Sequence, residues 1–442
     1  MHIQLSDHFT FPRLLRFVFP SIITMIFTSV YGMVDGFFVS NFVGKTPFAA
    51  LNLIMPFLML FGCIGFMFGT GGSALVARTL GEGDSKKANE VFSLLVTTAI
   101  LVGVAIMVVG LFLLRPVAVL LGAEGELLEH CLVYGGILLP AMPAFILQYL
   151  FQSFLITAEK PDLGLYVTVA AGLTNVVFDA LFIAVFDWGL AGAALATAMS
   201  QVMGGLVPLV YFVLPNKSLL RLVRPRMDGR ALFQTCTNGS SEMVSNLSMS
   251  LVGMLYNLQL MRFAGENGVA AYGVIMYVNF IFVGIFMGFA VGSAPIVSYH
   301  FGAGNTDELK NLRRKSLTFM LVSGIVLTAA AVVLARPLAM IFVSYDQVLL
   351  DMTVRGFILY SLSFLFMGFN IFGSNFFTAL NDGLISAVIS FMRTLVIQII
   401  AILVLPEFLK LDGVWLSIVA AEAAALVITG YFLVKKRKKY HY

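Results

Sequence analysis

Residues 79–91 read TLGEGDSKKANEV and residues 300–312 read HFGAGNTDELKNL. The two stretches stand 221 residues apart, half the length of the 442-residue chain, and each is a polar island between long apolar runs. Outward from this pair the same offset returns. NFVGKTPFAAL (41–51) aligns with RFAGENGVAAY (262–272), Arg115-Pro116 with Arg336-Pro337, and the ITA at 156–158 with the FTA at 377–379. The matches include polar loop residues, which chance likeness among apolar segments does not supply. The chain therefore reads as one unit written twice.

Composition says where that unit sits. The chain is 60% hydrophobic and 11% charged, with a mean hydropathy of +0.96, whereas soluble chains are about 25% charged. A hydrocarbon core needs about 20 apolar residues per helical crossing. Runs of that kind fall near 14–38, 47–72, 91–113, 128–152, 163–186, 190–213, 236–261, 268–292, 316–335, 350–374, 384–405 and 412–434. The expected fold is an all-α polytopic membrane protein of twelve transmembrane helices, arranged as two pseudo-symmetric six-helix bundles. Residues 1–214 form one lobe, 215–232 a cytoplasmic linker, and 233–442 the second lobe with a basic tail. An even number of spans per repeat makes the repeats parallel, and such transporters place substrate at the seam near mid-depth. Pro20, Pro56, Pro140 and Pro143 fall inside spans, where a bundle re-satisfies the freed backbone groups. The opening MHIQLSDHFTFPRLLRF has no small-residue cleavage site after a short apolar core, so the first apolar run is read as the first span.

Positive charge sets the orientation, because short cytoplasmic loops hold the excess of Lys and Arg. With both termini inside, the cytoplasmic pieces hold 20 of the 27 Lys and Arg, and six lie outside. The expected location is the cell membrane, multi-pass. The basic stretch 216–230 and the tail KKRKK are accounted for by this topology and by contact with membrane lipids, so no nucleic-acid partner is expected. Cys63, Cys131 and Cys236 stand alone, without a metal-ligand spacing. GTGGS (69–73) and GEG (81–83) lack the Gly-Lys-Ser/Thr ending of a phosphate loop, so no ATP site and no cofactor are expected. The five His are scattered, which argues against an enzyme, and a monomer is the expectation.

An ionisable group at mid-membrane costs roughly 2.5–3.5 kcal/mol on insertion scales and marks a functional site by default. Four acids fall in spans: Asp35, Asp179, Glu242 and Glu422. Asn175 and Asp179 share one face of span 5, as Tyr31 and Asp35 share one face of span 1, each pair being four residues apart. Polar faces on two spans of one half suggest a shared pocket. Carboxylate and amide oxygens suit a hard cation. Two carboxylates close together in a low dielectric resist joint ionisation, so a proton serves as well as sodium. Their repeat partners are Tyr256 and Ile400, so the halves have diverged here.

Glu242 lies in NGSSEMVSN beside Asn246, either facing a cavity that attracts cations or satisfied by water at the interface. Glu422 is opposite Gln201 in the repeat and suits interhelical hydrogen bonding. Arg393 on span 11 needs an acidic partner that spacing alone does not name. Amides and hydroxyls for a substrate cavity are Gln148, Gln152 and Ser153 on span 4, with Asn370, Ser374 and Asn375 on span 10. The 22 Met and 41 Phe fit a re-packable surface.

The chain resembles the multidrug and toxic compound extrusion (MATE) transporters, bacterial drug-exporter type, over essentially its whole length. The resemblance rests on Pro20, Tyr31 and the run VDGFFVSNFVG from Val34 to Gly44, on the GEGD loop, on the paired FGAGN loop and on the duplicated halves. In one branch of that family a cation site is formed by a span 1 Asp with a nearby Tyr, a span 5 Asn and Asp one turn apart, and a span 6 Thr. Tyr31, Asp35, Asn175, Asp179 and Thr197 match it one by one. Another branch uses acids in spans 7 and 8, and here span 8 has no carboxylate. The resemblance implies a secondary antiporter that exports small organic, often cationic, molecules by alternating access, driven by protons or sodium. The alternative within the same superfamily is a flippase for lipid-linked oligosaccharide or peptidoglycan precursors.

Overall fold

A computed structural model describes residues 3–442, the side chains at 36, 37, 40 and 45 excepted. Among the described residues every regular element is a helix. Helix α1 spans Phe11–Phe38 and runs on as a π-helical turn at Val39–Val43. Then follow α2 (Lys45–Gly81), α3 (Ser85–Leu120), α4 (Gly125–Thr157, with a 3-10 turn at Leu139–Ala141), α5 (Pro161–Val185, its last turns π-helical from Ala180) and α6 (Gly189–Val213). Residues 214–228 are not helical and join the halves. Gly229–Gly302 is broken at Gly265 (φ 62°, ψ −150°), which separates α7 (229–264) from α8 (266–302). Next come α9 (Thr306–Val343) and α10, whose segments Gln347–Ser361 and Phe364–Ala379 meet at 49°. Gly383–Lys435 is broken at Lys410 (φ 53°, ψ −129°) into α11 (383–409) and α12 (411–435), and α13 (Arg437–Tyr440) ends the chain. Nine helices are long and apolar enough to cross a membrane and the bent pair makes ten; the breaks at Gly265 and Lys410 each divide one, which gives twelve.

Several helices outrun the apolar runs that predict them. The second was expected to stop at 72 and continues to Gly81. Hydrophobicity marks the part of a helix that needs lipid, whereas intrahelical hydrogen bonds continue into the headgroup region until a cap intervenes.

Those caps explain the repeated polar islands. At Gly83 (φ 86°) and Gly304 (φ 69°) the chain takes the left-handed conformation that favours glycine. The next residue caps the following helix: Asp84 Oδ1 accepts from Lys87 N at 2.9 Å, and Asn305 Oδ1 accepts from Glu308 N at 3.2 Å. Gly83 and Gly304 are 221 residues apart, as are Asp84 and Asn305, the breaks at Gly44 and Gly265, and the positive-φ residues Gly189 and Lys410. The repeat is thus written in backbone conformation as well as in letters.

The two lobes meet in a seam built on glycine. A Cβ at Gly81 would overlap the carbonyl of Tyr299, and one at Gly302 would overlap the carbonyl of Arg78. The two contacts exchange under the 221-residue offset, so the pseudo-twofold axis passes between them. Deeper in the same seam Gly71 and Gly239 press α2 against α7, and Gly288 and Gly292 press α8 against Ile22 and Ser21 of α1. Helices without a hydrophobic drive to associate gain most from such close approach. Asn381 adds a polar stitch, its Nδ2 reaching the Ala74 carbonyl at 3.4 Å. The N-terminal segment straps this end across both lobes: Leu5 N donates to Glu159 Oε1 at 2.6 Å and Phe9 N to Glu308 Oε1 at 3.0 Å. The C-terminal tail lies at this end too, where the Tyr440 hydroxyl donates to Asp382.

Gly302→Leu should pry this end of the seam open. With Cys63, Cys131 and Cys236 replaced, a cysteine at the buried Ala74 should react with a water-soluble maleimide about tenfold faster in that background, the ratio that about 1.4 kcal/mol of seam destabilisation produces. Equal labelling rates would show that the glycine contacts do not hold the lobes together.

Candidate functional site

In the N-terminal lobe, packing details bring the polar residues of three helices to one place. Gly172 on α5 lets the Phe27 and Tyr31 rings of α1 approach its backbone. Ser200 Oγ donates to the Ala171 carbonyl at 2.7 Å and ties α6 to α5. Asp35 thereby comes within hydrogen-bonding reach of both Asn175 and Asp179. Asn175 Nδ2 points at Thr197 Oγ1, 3.4 Å away. The π-helical turn begins directly after Asp179, a feature common at functional positions in helices. Tyr31 lies one turn below Asp35, within its electrostatic range. All five residues expected for a cation site thus belong to one cluster.

The cluster is short of donors. Asp179 and Asn175 are buried, with 0% and 2% exposure. The two carboxyl groups can hydrogen-bond to each other only when one carries a proton, since two carboxylates offer acceptors alone. When both are ionised, Asp179 Oδ1 and Oδ2, Asp35 Oδ1 and Asn175 Oδ1 are buried without a partner among the described residues. A fifth buried oxygen joins them: Tyr134 Oη on α4 has no hydrogen-bond partner and faces Asp35, Asp179 and Thr197. Sequence reasoning missed Tyr134, because one tyrosine in an apolar span has no periodicity to separate it from packing. Unsatisfied buried acceptors cost about 1–3 kcal/mol each. A bound cation or a proton removes that cost, and these hard oxygens suit either.

The C-terminal lobe handles its charges differently. Arg393 Nε donates to Glu422 Oε1 and Oε2 at 2.9 and 3.0 Å, and its Nη2 lies 2.9 Å from Oε1. Asn370 Nδ2 donates to Glu422 Oε2 at 2.8 Å and to its carbonyl at 2.9 Å, and Thr429 Oγ1 donates to Asn370 Oδ1 at 2.8 Å. The acid missing from the sequence reading of Arg393 is Glu422. A signal existed: 393 and 422 lie equally far from the break at Lys410, hence at one depth on an antiparallel pair. Tyr256, the repeat partner of Asp35, is buried and donates to Gln398 Oε1 at 3.2 Å.

The residues expected in the substrate cavity divide. Ser153 packs in the N-terminal lobe beside Gly69 of α2. Asn370 is occupied by Glu422, and Ser374 lies among Ser386 and Ser390 at 3.0 and 2.8 Å, inside the C-terminal lobe. Asn375 donates to the Ile371 carbonyl of its own helix at 3.1 Å. Gln148 packs against Gly204 of α6, and with Gln152 lines a small cavity that also contains Tyr31. Glu242 on α7 lies at the seam, within electrostatic range of Cys63 on α2 and of Arg393. Asn246 donates to the Glu242 carbonyl at 2.8 Å.

Breaking the buried pair from one side should be costly. Arg393→Met alone is expected to destabilise the C-terminal lobe by about 3–5 kcal/mol, because it strands a buried carboxylate. Adding Glu422→Gln, which keeps an acceptor for Asn370, should restore most of that in a detergent unfolding titration. Additive losses in the double variant would contradict the pairing.

Comparison with known proteins matches this arrangement. The MatE family model matches the chain twice, over residues 20–181 and 243–404, one match in each repeat. The multidrug export protein MepA of Staphylococcus haemolyticus is 24% identical over 416 residues, covering 92% of this chain and 90% of its own. MepA of Staphylococcus saprophyticus is 26% identical over 347 residues, covering 76% of each. Among solved structures, a crystal structure of MATE in complex with MaL6 superposes with a TM-score of 0.93 at 22% identity, over 97% of this chain and 96% of that one. A MOP superfamily transporter from Pyrococcus furiosus, described as having a binding pocket of reverse polarity, superposes at 0.90 with 22% identity, over 97% and 96%. Likeness at that identity establishes the fold, and one fold here carries pockets of differing charge. With a family match in each half that together covers most of the sequence, and with the duplicated bundle seen in the structure, the chain belongs to the MatE family, the multidrug and toxic compound extrusion transporters.

Proposed function

We propose that this chain is a secondary antiporter that exports small organic cations, driven by a proton or sodium gradient acting on Asp35 and Asp179. The observation that carries the reading is the donor-poor cluster in the N-terminal lobe, where buried carboxylate oxygens are left for a cation or a proton to satisfy. The relatives named multidrug export proteins support the substrate class. A gradient supplies about 2.3 kcal/mol per charge per 100 mV, which sustains roughly a 50-fold substrate gradient for one-for-one electrogenic exchange.

In this reading both termini are cytoplasmic, so the glycine seam closes the cytoplasmic end and substrate leaves on the other side. Release of the seam, with the lobes rocking about the pseudo-twofold, admits substrate from the cytoplasm. Glu242 at the seam attracts cationic substrate, and Asn246, Gln148, Gln152 and Asn375 are the polar residues proposed to meet it. The flippase reading is weaker: it needs free positive charge for a pyrophosphate, and Arg393, the one basic residue deep in a span, is taken up by Glu422.

Asp35→Asn and Asp179→Asn keep size and hydrogen bonding while removing the exchangeable charge. Each should cut the accumulation of a fluorescent cationic dye in proteoliposomes to near the ungradiented level, with proton and sodium gradients imposed separately and insertion unchanged. Tyr134→Phe, which removes one oxygen, should weaken ion dependence about fivefold, a hydrogen bond's worth of affinity. Full accumulation with unchanged ion dependence in both Asp variants would defeat the proposal.

A further inference from the structure

We propose that the cleft between α9, α10 and the C-terminal helix α13 is a binding site for one anionic phospholipid. The cleft is about 620 Å³, within the range of sites that hold a small molecule. Its rim is basic: Lys310, Arg313 and Arg314 from α9 and Arg437 from α13. Its floor and open side are apolar, with Leu317, Leu321 and Phe369. On α9 these positions follow three- and four-residue steps, so charge and apolar surface share one stripe. The stripe changes character within about 10 Å of helix rise, from Arg314 to Leu321. Leu321 is 49% exposed on the outer surface of the bundle. A headgroup over an acyl chain presents the same order of chemistry.

The charges are uncompensated by the protein. Among the described residues no carboxylate lies within ion-pair distance of Arg313, Arg314 or Arg437, and Lys310 has only the exposed Asp307 at 3.7 Å. Arg313 is held over the Tyr442 ring, 5.2 Å from its centre, and its Nε is buried with no hydrogen-bond partner. Arg437 is close enough to repel Arg313. The nearby acid, Asp382, is taken by Tyr440 and Lys439. Converging, unpaired arginines at the boundary between polar and apolar surface call for a phosphate. Basic pockets between transmembrane helices hold anionic headgroups in this way. The inference stands apart from the antiport reading, since it involves neither the acidic cluster nor the seam.

Native mass spectrometry of the full chain in detergent, titrated with phosphatidylglycerol and with phosphatidylcholine, tests it. Wild type should retain phosphatidylglycerol preferentially. Arg437→Gln, at an exposed position that leaves the fold intact, should weaken it about fivefold, and Arg313→Gln with Arg437→Gln about 25-fold, following the usual value per basic residue at such a surface. Arg226→Gln, in the other basic stretch, should change nothing. Equal retention of both lipids by wild type, or undiminished phosphatidylglycerol binding by the double variant, would overturn the proposal. Loss in Arg226→Gln as large as in Arg437→Gln would do so too, since it would indicate diffuse surface charge. Displacement of the lipid by inorganic phosphate at matched concentration would mean a free-phosphate site and would also overturn it.

Discussion

A chain in hydrocarbon has no water to complete its hydrogen bonds, so every polar group within the spans must find a partner inside the bundle or hold a bound ion. That constraint orders the molecule. It makes the backbone helical throughout the spans and confines the interruptions, at Gly44, Gly83, Gly189 and their partners Gly265, Gly304 and Lys410, to the ends of helices. It also lets polar groups be sorted into those that are satisfied and those that are not. The Arg393, Glu422, Asn370 and Thr429 network is a closed set, in which each charge has its counterpart. The Asp35, Asn175 and Asp179 set is open.

This difference between two lobes of the same backbone is the basis of the functional reading. Duplication provides a pseudo-twofold and hence a seam; divergence then places the unsatisfied acids on one side only. The C-terminal equivalents of Asp35 and Asp179 are Tyr256 and Ile400, which hold no exchangeable charge at membrane depth. One lobe can respond to ion binding while the other serves as a rigid counterpart, its ion pair holding α10, α11 and α12 in register. The glycine contacts between α2 and α7 and between α8 and α1 are close enough that the seam is either fully packed or separated, which favours two discrete arrangements over gradual deformation.

Much of the fold was legible in the sequence because lipid imposes a simple rule of about 20 apolar residues per crossing, and because the 221-residue offset is visible in polar letters. Helix ends were not, since Arg78 at the end of α2 and Gly229 at the start of α7 lie outside the apolar runs yet continue the backbone ladder. The four-residue spacings gave Tyr31 with Asp35 and Asn175 with Asp179 as faces, and the family resemblance added Thr197. Tyr134 escaped because its position depends on how α4 packs against α5 and α6, which no spacing within α4 encodes. Asn370 and Ser374 looked like cavity residues by composition, but a polar side chain in a span serves internal contacts as readily as a ligand, and only the packing distinguishes them.

The central claim is that substrate and cation are linked through Asp35 and Asp179, and it is tested most directly by counting ions at equilibrium. Adding tetraphenylphosphonium to the purified protein in weakly buffered detergent should release about one proton or one sodium ion per molecule bound, because linked sites influence each other reciprocally. Asp35→Asn with Asp179→Asn should bind the probe and release neither. Probe binding to wild type without release of either ion, or the same release from the double variant, would contradict the account.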